Sequence, residues 1–289
     1  MTKQEYARHI RHLIEDAKDI DAAAGMAALD SLRAAHDEVL RSIAALPSDA
    51  AGKTTYSRHQ LDQLRRAIER SMDEFNRQMT SETKTAMEDK FQAGSGQVDA
   101  MLKDAIGVQP ALTMLPRHNL VIAQDYTADL VGGLSASAKS KLNAVLRRSA
   151  LGGQSVDSIM RQIGKSIGDG EFGKISRRAQ TIYRTEVGRM AHAAAQSRME
   201  EAAEVVDGLE HQWIHCGVLE THPRGYHLMI HGQHVPVDEP FPGSGPNGED
   251  LLYPGDAAGA AEDTINCMCD TTAWTPMMEK FAPLAGSKV

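Results

Sequence analysis

The 289-residue sequence is poor in aromatic residues, and it has no long run of apolar residues. Phe, Trp and Tyr make up 4% of the chain, and a β-sandwich or barrel would need many more of them. No stretch reaches the roughly 18 uncharged apolar residues that span a bilayer. The opening residues mix charged with apolar positions, so we expect neither a signal peptide nor a membrane anchor.

Cysteine and positive charge are scarce as well. The chain has three cysteines, too few and too odd in number for a disulfide framework, which favours a reducing compartment or a metal. The formal net charge of −8 argues against a protein that coats DNA, because phosphate binding needs clustered Lys and Arg. We therefore expect a protein that folds in a cytoplasm, although a local basic patch is still compatible with this charge.

Helical periodicity dominates the chain ahead of its last third. Apolar residues recur at steps of three and four between Leu29 and Leu46, and again between Leu61 and Met79. The turn-forming segment 47–52 separates these two stripes, which predicts an antiparallel helical hairpin. Its apolar face is either the core of a bundle or a coiled-coil-like surface for a partner, and the few uninterrupted heptads favour the core.

Further helices are expected beyond a hinge at Gly94–Gly96. Ser135 is predicted to begin one helix, which ends at Gly153. Ser155 is predicted to be the N-cap of the next helix. A third helix is predicted from about 176 to 205, because no proline interrupts that segment.

The last third of the chain has a different composition. It contains all three cysteines, both tryptophans and many of the Gly and Pro residues. Strands are predicted at 210–216, 233–237 and 271–274, with long loops between them. We therefore predict a mainly α fold, with a helical N-terminal hairpin or bundle, followed by a small C-terminal α+β module with few short strands. The expected divisions are a helical docking region (1–110), a helical part (111–208), the module (209–275) and a tail (276–289).

The third predicted helix carries Arg184-Thr-Glu186 within its length. Glu186 lies in the middle of an apolar stripe, and a buried carboxylate needs a cation or a hydrogen-bond donor. Either Glu186 anchors the helix to the C-terminal module, with Arg224 as the first candidate partner, or it is a general base. No nucleophile lies next to it in the sequence, which favours the anchoring role.

Histidine and cysteine in the C-terminal module stand at spacings that suit a metal. Cys267 and Cys269 are two residues apart, so on a strand their side chains would point toward one centre. Together with His227, and with His222 or Cys216, they would complete a tetrahedral zinc site. The C-x-C spacing is a weaker zinc signal than C-x₂-C, so ordinary buried cysteines are the alternative.

A metal-dependent hydrolase, such as a nuclease, is an alternative use of the same residues. No carboxylate cluster or nucleophile–base pair stands at a recognisable spacing. The sequence also has no glycine-rich phosphate loop, Walker motif or serine elbow. These absences favour a structural site over a catalytic one.

The motifs of this C-terminal part follow one another in a specific order. They are Arg184-Thr-Glu186, Trp213, Glu220-x₃-Arg224-x₂-His227 with Gly232, the turn Pro254-Gly-Asp256, and Ile265-Asn266-Cys-Met-Cys269. In this order and spacing they resemble the phage head morphogenesis family, the Mu F-like minor head proteins, from about residue 115 to residue 275. Family members commonly have Asp in place of Glu220 and Arg in place of Met268, so a role of that arginine, such as anion binding, is not expected here.

The resemblance implies a structural minor capsid protein of a tailed bacteriophage, with no enzymatic activity. It implies association with the portal protein, or with the major capsid or scaffolding protein, and a place inside the phage head after assembly in the host cytoplasm. Contact with packaged DNA would be weak and non-specific, and no membrane is implied. The family domain also occurs fused to toxin domains, which we do not expect after this one. The motif residues expected to have structural roles are Arg184, Glu186, Trp213, Glu220, Arg224, Gly232, Asp256 and Asn266.

Overall fold

The computed structural model describes residues 2–49, 53, 57–107, 117–217, 224–246, 249–276 and 278. In this part of the chain, the helices ahead of the first strand are α1 (Lys3–Ala44), α2 (Arg58–Ile106), α3 (His118–Gly152), α4 (Val156–Ile163) and α5 (Gly170–Ala203). The C-terminal elements are β1 (Glu210–Ile214), α6 (Gly225–Met229), β2 (His234–Pro236), α7 (Ala261–Thr264) and β3 (Asp270–Trp274). The predicted fold class, mainly α with a small C-terminal α+β module, is confirmed.

The predicted hinge at Gly94–Gly96 is wrong, because α2 runs through it without a break. A Cβ atom at Gly94 would lie 2.2 Å from the backbone oxygen of Ala191 in α5. Glycine at this position therefore allows two helix backbones to approach closely and does not bend the chain. Residues 98–106, which follow these glycines, form the end of α2.

The predicted start of a helix at Ser135 is also wrong, since α3 begins at His118. The buried Ser135 hydroxyl donates to the backbone oxygen of Met72 at 2.7 Å, so it satisfies a neighbouring helix and does not cap its own. The N-cap at Ser155 is confirmed, because its hydroxyl accepts from the backbone N–H of Ser158 at 3.2 Å.

Two compact units form, and each is assembled from separate segments of the chain. One comprises 1–22, 85–124 and 184–289, and the other comprises 23–84 and 125–183. This division does not test the domain boundaries after residues 110, 208 and 275 that were expected from the sequence, so those boundaries stay predictions.

In the second unit, α1 and α2 are antiparallel, as the predicted hairpin requires. Ser31 of α1 lies 3.8 Å from the sulfur of Met79, and Ser42 lines the same cavity of about 570 Å³ as His59 at the start of α2. Most residues of the two apolar stripes are buried and form the core here, among them Leu32, Val39, Ile43, Leu64, Ile68, Met72 and Phe75. Burial of both stripes favours the bundle-core interpretation of this hairpin.

In the first unit, the beginning of α1 packs on the sheet. The Tyr6 hydroxyl donates to Gln212 Oε1 at 2.6 Å, and His9 Nε2 lies 2.8 Å from the Thr272 hydroxyl. Lys90 of α2 forms an ion pair with Asp16 of α1 in the same unit. The N-terminal residues are therefore structurally part of the unit that contains the C-terminal module.

The sheet has the strand order β2-β1-β3, and both pairs are antiparallel. Glu210 is in register with Pro236 and Trp274, and the three predicted strands are present. The first two are shorter than predicted, and the third begins one residue earlier, at Asp270. One face of β1 and β3 meets α1, and the other packs on an apolar cluster of Trp213, Ile230, Phe241, Leu251, Cys267 and Cys269. Within the described residues, no helix has the length and apolar character needed to cross a membrane.

Candidate functional site

The first two residues of the Arg184-Thr-Glu186 motif hold Asn266. Arg184 Nη1 donates to Asn266 Oδ1 at 2.9 Å, and the Asn266 backbone N–H donates to the Thr185 hydroxyl at 3.0 Å. Asn266 has a φ of 56°, a left-handed conformation that asparagine tolerates better than most residues. Arg184 also pairs with Asp21 of α1. The motif thus fixes the turn that precedes the two cysteines.

Glu186 is buried and pairs with Arg189 on its own helix. Arg189 Nη1 donates to Glu186 Oε2 at 2.7 Å, and its Nε donates to the backbone oxygen of Gly255 at 2.8 Å. His192 Nδ1 donates to the neighbouring Pro254 oxygen at 2.8 Å. Burial raises the pKa of Glu186, and the charge of Arg189 partly opposes that rise. Helix α5 therefore reaches the Pro254-Gly-Asp turn through Arg189 and His192.

The predicted pair between Glu186 and Arg224 is wrong. Arg224 precedes α6, and its guanidinium donates at 2.7 Å to the backbone oxygens of both Glu262 and Ile265. Carbonyl groups in the last turn of a helix have no partner within that helix, and α7 ends here. Arg224 therefore binds the end of α7, and the cation that pairs with Glu186 is Arg189 of the same helix, α5.

Trp213, Gly232 and Asp256 stabilise local structure in the module. Trp213 is fully buried, and its backbone oxygen accepts from the N–H of Gly232, which has a φ of 84°. A positive φ is readily adopted only by glycine, which explains the residue type at this turn. The Asp256 carboxylate accepts from the backbone N–H groups of Leu252 at 3.2 Å and Ala258 at 2.9 Å.

His227, Cys267 and Cys269 converge at one point inside the module. His227 Nδ1 lies 3.7 Å from each of the two sulfur atoms, and all three side chains are buried. His227 Nε2 donates to the backbone oxygen of Ser244 at 3.0 Å. This bond places the lone pair on Nδ1, so that it faces the thiols. The potential ligand atoms of the three residues lie within 4.8 Å of one another, as metal binding requires.

The two cysteines influence each other's ionisation. The Cys269 thiol donates to Cys267, which lowers the pKa of Cys267 and raises the pKa of Cys269. The backbone N–H of Cys269 also donates to the Cys267 sulfur, while burial acts in the opposite direction on Cys267. One of the two sulfurs is therefore favoured as a thiolate, the form that binds metals.

Not every residue of the predicted metal site joins this cluster. His222 lies outside the described residues, as does Glu220 of the predicted structural set. Cys216 is buried, but its thiol is directed at the backbone oxygen of Ile214, 3.8 Å away. Burial raises the pKa of Cys216 well above its ordinary value, which opposes thiolate formation.

Sequence reasoning missed a second histidine beside the cluster. His215 Nδ1 lies 3.5 Å from the Cys269 sulfur. A signal was present, because His215 follows Trp213 by two residues and alternation along an extended chain places both on one face. The Trp213 ring lies 4.9 Å from the His227 ring, so that face is the one directed at the cluster.

Together these contacts describe a module held by polar interactions around a cysteine–histidine centre. Two sulfurs and imidazole nitrogens form a soft ligand set, which suits zinc better than magnesium or calcium. Within the described residues, the cluster contains no carboxylate that would act as a base on a bound water.

A comparison with known families finds a match for the segment that contains these contacts. Residues 140–272 match the sequence model described as Phage Mu protein F like protein. This match, over slightly less than half of the chain, supports its assignment to the phage head morphogenesis family. The matched segment begins in α3 and ends in β3, and it includes the Arg184-Thr-Glu186 motif and the cysteine–histidine cluster. The resemblance seen in the order of the motifs is thus confirmed.

A second similarity is to part of an enzyme. Over 97 residues, 33% of this chain, the sequence is 31% identical to the NAD(+)–arginine ADP-ribosyltransferase EFV of Enterococcus faecalis (strain ATCC 700802 / V583). The aligned part is 18% of that protein, so the chain spans less than a fifth of its length. No solved structure matches the chain significantly.

Proposed function

We propose that this protein is a minor structural component of a phage head, docked on the portal, major capsid or scaffolding protein and retained in the head interior. The family match over 140–272 carries this proposal. It is supported by the family motifs, since the contacts of Arg184 and Arg224 join elements of the fold to one another. Such contacts stabilise a shape and are not arranged around a substrate.

Burial of the cysteine–histidine cluster supports a structural role over catalysis. His227, Cys267 and Cys269 are 1%, 5% and 4% exposed, and the Trp213 ring packs against them. A catalytic metal needs a coordination position open to water or substrate. The alternative function, a metal-dependent hydrolase or nuclease, lacks this access among the described side chains.

We assign docking to the exposed apolar side chains of α1. Met26 and Leu29 are 60% and 39% exposed and lie about one turn apart. Deletion of 1–110 would be a poor test, because it removes Tyr6 and His9 from the sheet. Substitution of exposed side chains leaves those contacts in place.

The test uses the full chain, co-expressed with the portal, scaffolding and major capsid proteins of its own phage. We expect the wild-type protein to co-sediment with assembled heads, and the double variant Met26→Glu/Leu29→Glu to be lost from them with an unchanged melting temperature. Leu151→Glu is the matched control, because Leu151 is 90% exposed on α3, and it should co-sediment like wild type. A wild-type protein that is absent from heads would refute the proposal.

The enzymatic alternatives are tested with the same purified protein. We expect no DNA cleavage with zinc, magnesium or manganese, and no transfer of ADP-ribose from NAD to arginine. DNA cleavage that disappears in His227→Ala, with the melting temperature unchanged, would establish the hydrolase. Any contact with packaged DNA should be weak and salt-dependent, given the net charge of −8.

A further inference from the structure

We infer that His215, His227, Cys267 and Cys269 form a closed structural zinc site, in which His215 takes the place that the sequence suggested for His222 or Cys216. The inference concerns the fold of the module and does not depend on its place in a phage head. It rests on the separations of the ligand atoms, on the direction of their lone pairs and on the groups that hold them.

The separations match those of a tetrahedral zinc site. Zinc binds sulfur at about 2.3 Å and imidazole nitrogen at about 2.0–2.1 Å, which places these atoms about 3.5–3.6 Å apart at a tetrahedral angle. The nitrogen–sulfur distances are 3.7 Å from His227 to both cysteines and 3.5 Å from His215 to Cys269. The ligand atoms of His227, Cys267 and Cys269 already lie within 4.8 Å of one another. His215 reaches Cys269 but lies outside that group, so its ring would have to move toward the other two ligands to enclose one ion.

A cation would use this convergence of lone pairs more fully than hydrogen bonds do. His227 Nδ1 has one lone pair, because its Nε2 carries the proton donated to Ser244. That lone pair accepts from one thiol, yet both sulfurs lie at the same distance from it. A cation satisfies both sulfurs and both ring nitrogens at once, since every one of these atoms donates an electron pair to it.

The ligands also have the supporting contacts that metal sites use. A metal-binding histidine commonly donates its second ring nitrogen to a backbone carbonyl, as His227 does to Ser244. The backbone N–H of His215 donates to His231 Nδ1 at 3.1 Å, which fixes the chain at the fourth ligand. The backbone N–H of Cys269 also donates to the Cys267 sulfur, which helps to fix the position of that ligand.

Four protein ligands leave no open position, so the ion would be structural. It would join the segment after β1, helix α6 and the approach to β3, which are separate in sequence and share a small apolar cluster. Without the ion the module would lack this cross-link. The free energy of zinc binding would therefore add directly to the free energy of folding.

The first experiment measures metal in the full chain, purified without chelator from zinc-supplemented cells. We expect one zinc ion per chain by mass spectrometry. We also expect that cobalt substitution gives intense visible bands of tetrahedral Co²⁺, together with a sulfur-to-cobalt charge-transfer band. Protein that holds no zinc and shows no such bands would overturn the inference.

Variants identify the ligands. Cys267→Ser and His215→Ala should each weaken zinc binding by more than about 100-fold, beyond the 10–100-fold typical of an outer contact. Cys216→Ser and His222→Ala are matched controls, since they alter the third cysteine and the other candidate histidine, and both should bind like wild type. Tetrahedral cobalt bands that persist in His215→Ala but vanish in His222→Ala would refute the assigned fourth ligand.

A gain-of-thiolate variant distinguishes lost coordination from a failure to fold. His215→Cys keeps four ligands and raises the number of sulfurs from two to three. The charge-transfer band should then grow to about 1.5 times its wild-type intensity, because each thiolate contributes to it. An unchanged band in a variant that still binds one cobalt would show that residue 215 is not a ligand.

Discussion

Arg189 and Glu186 lie one turn apart on α5 and form a buried ion pair, with 2.7 Å between Nη1 and Oε2. Arg189 also donates to the backbone oxygen of Gly255, so the pair joins the helix to the turn at Pro254. Removal of one charge from a buried pair leaves the other without compensation, which typically costs about 3–5 kcal/mol.

Glu186→Gln should therefore lower the free energy of unfolding, because Arg189 loses its charged partner, but by less than about 3–5 kcal/mol, since burial already disfavours the charge of Glu186. Urea denaturation measures this change. Glu74→Gln is the matched control, because Glu74 and Arg77 have the same spacing on α2 but an exposed arginine. Its cost should stay below about 1 kcal/mol. Equal effects of the two substitutions would mean that Glu186 is not a buried anchor.

Gly94 and Gly96 lie in the same helix and should respond to alanine in opposite directions. A Cβ atom at Gly94 meets the backbone of Ala191 at 2.2 Å, whereas one at Gly96 meets nothing within 4 Å. Gly94→Ala should destabilise the protein by about 1–3 kcal/mol through overpacking. Gly96→Ala should stabilise it by up to about 1 kcal/mol, because alanine favours the helix. Thermal unfolding of both variants tests this, and stabilisation by Gly94→Ala would contradict the close helix contact.

Arg198 and Asp99 form a two-pronged ion pair between α5 and α2. Arg198 Nε and Nη2 each lie 2.8 Å from a different carboxylate oxygen of Asp99. Lysine cannot reproduce this fork, so Arg198→Lys should cost about 1–3 kcal/mol although the charge is kept. Arg33→Lys, at the exposed pair with Asp30, is the control and should change stability little. A double-mutant cycle with Asp99→Asn measures the coupling, and a coupling near zero would contradict the bidentate contact.

The sequence was informative where a signal is local. The Ser155 N-cap and the three strands follow from residue types and spacing within a few positions, and the structure contains all of them. The functions of Gly94 and Ser135 depend on partners in other helices, namely Ala191 and Met72, which no local pattern reveals.

The site was also predicted only in part, because some of its contacts follow from local spacing and others depend on distant elements. Cys267, Cys269 and His227 were expected to converge from spacing and residue chemistry, and they do. Arg224 was the first candidate partner for Glu186, but its guanidinium donates to the end of α7, a helix of four residues with no recognisable sequence signal. The pair of Glu186 and Arg189 was readable as an i, i+3 spacing on the helix.

Asp270, the first residue of β3, gives the module a dependence on pH. Burial raises the pKa of its carboxyl to about 6, and Asp16 adds to the rise. His192, Lys90 and the Thr271 backbone N–H act in the opposite direction without cancelling it. In the unfolded chain an aspartate titrates near 3.9, so the folded protein binds this proton more tightly. Its stabilising contribution is complete below about pH 4 and is lost as the pH rises through about 6.

Asp270→Asn replaces the carboxyl with a neutral group that still accepts from the Thr271 N–H. The stability of this variant relative to wild type should therefore increase between about pH 4 and 6, by on the order of 3 kcal/mol, and stay constant above that range. Asp157→Asn on α4 is a control of opposite sign, because a hydrogen bond from Lys165 lowers the pKa of Asp157. Its stability relative to wild type should fall as the pH rises through about 4, where aspartate titrates in the unfolded chain. Urea denaturation at a series of pH values measures both differences. An Asp270→Asn difference that does not change with pH would show that Asp270 ionises normally in the folded protein.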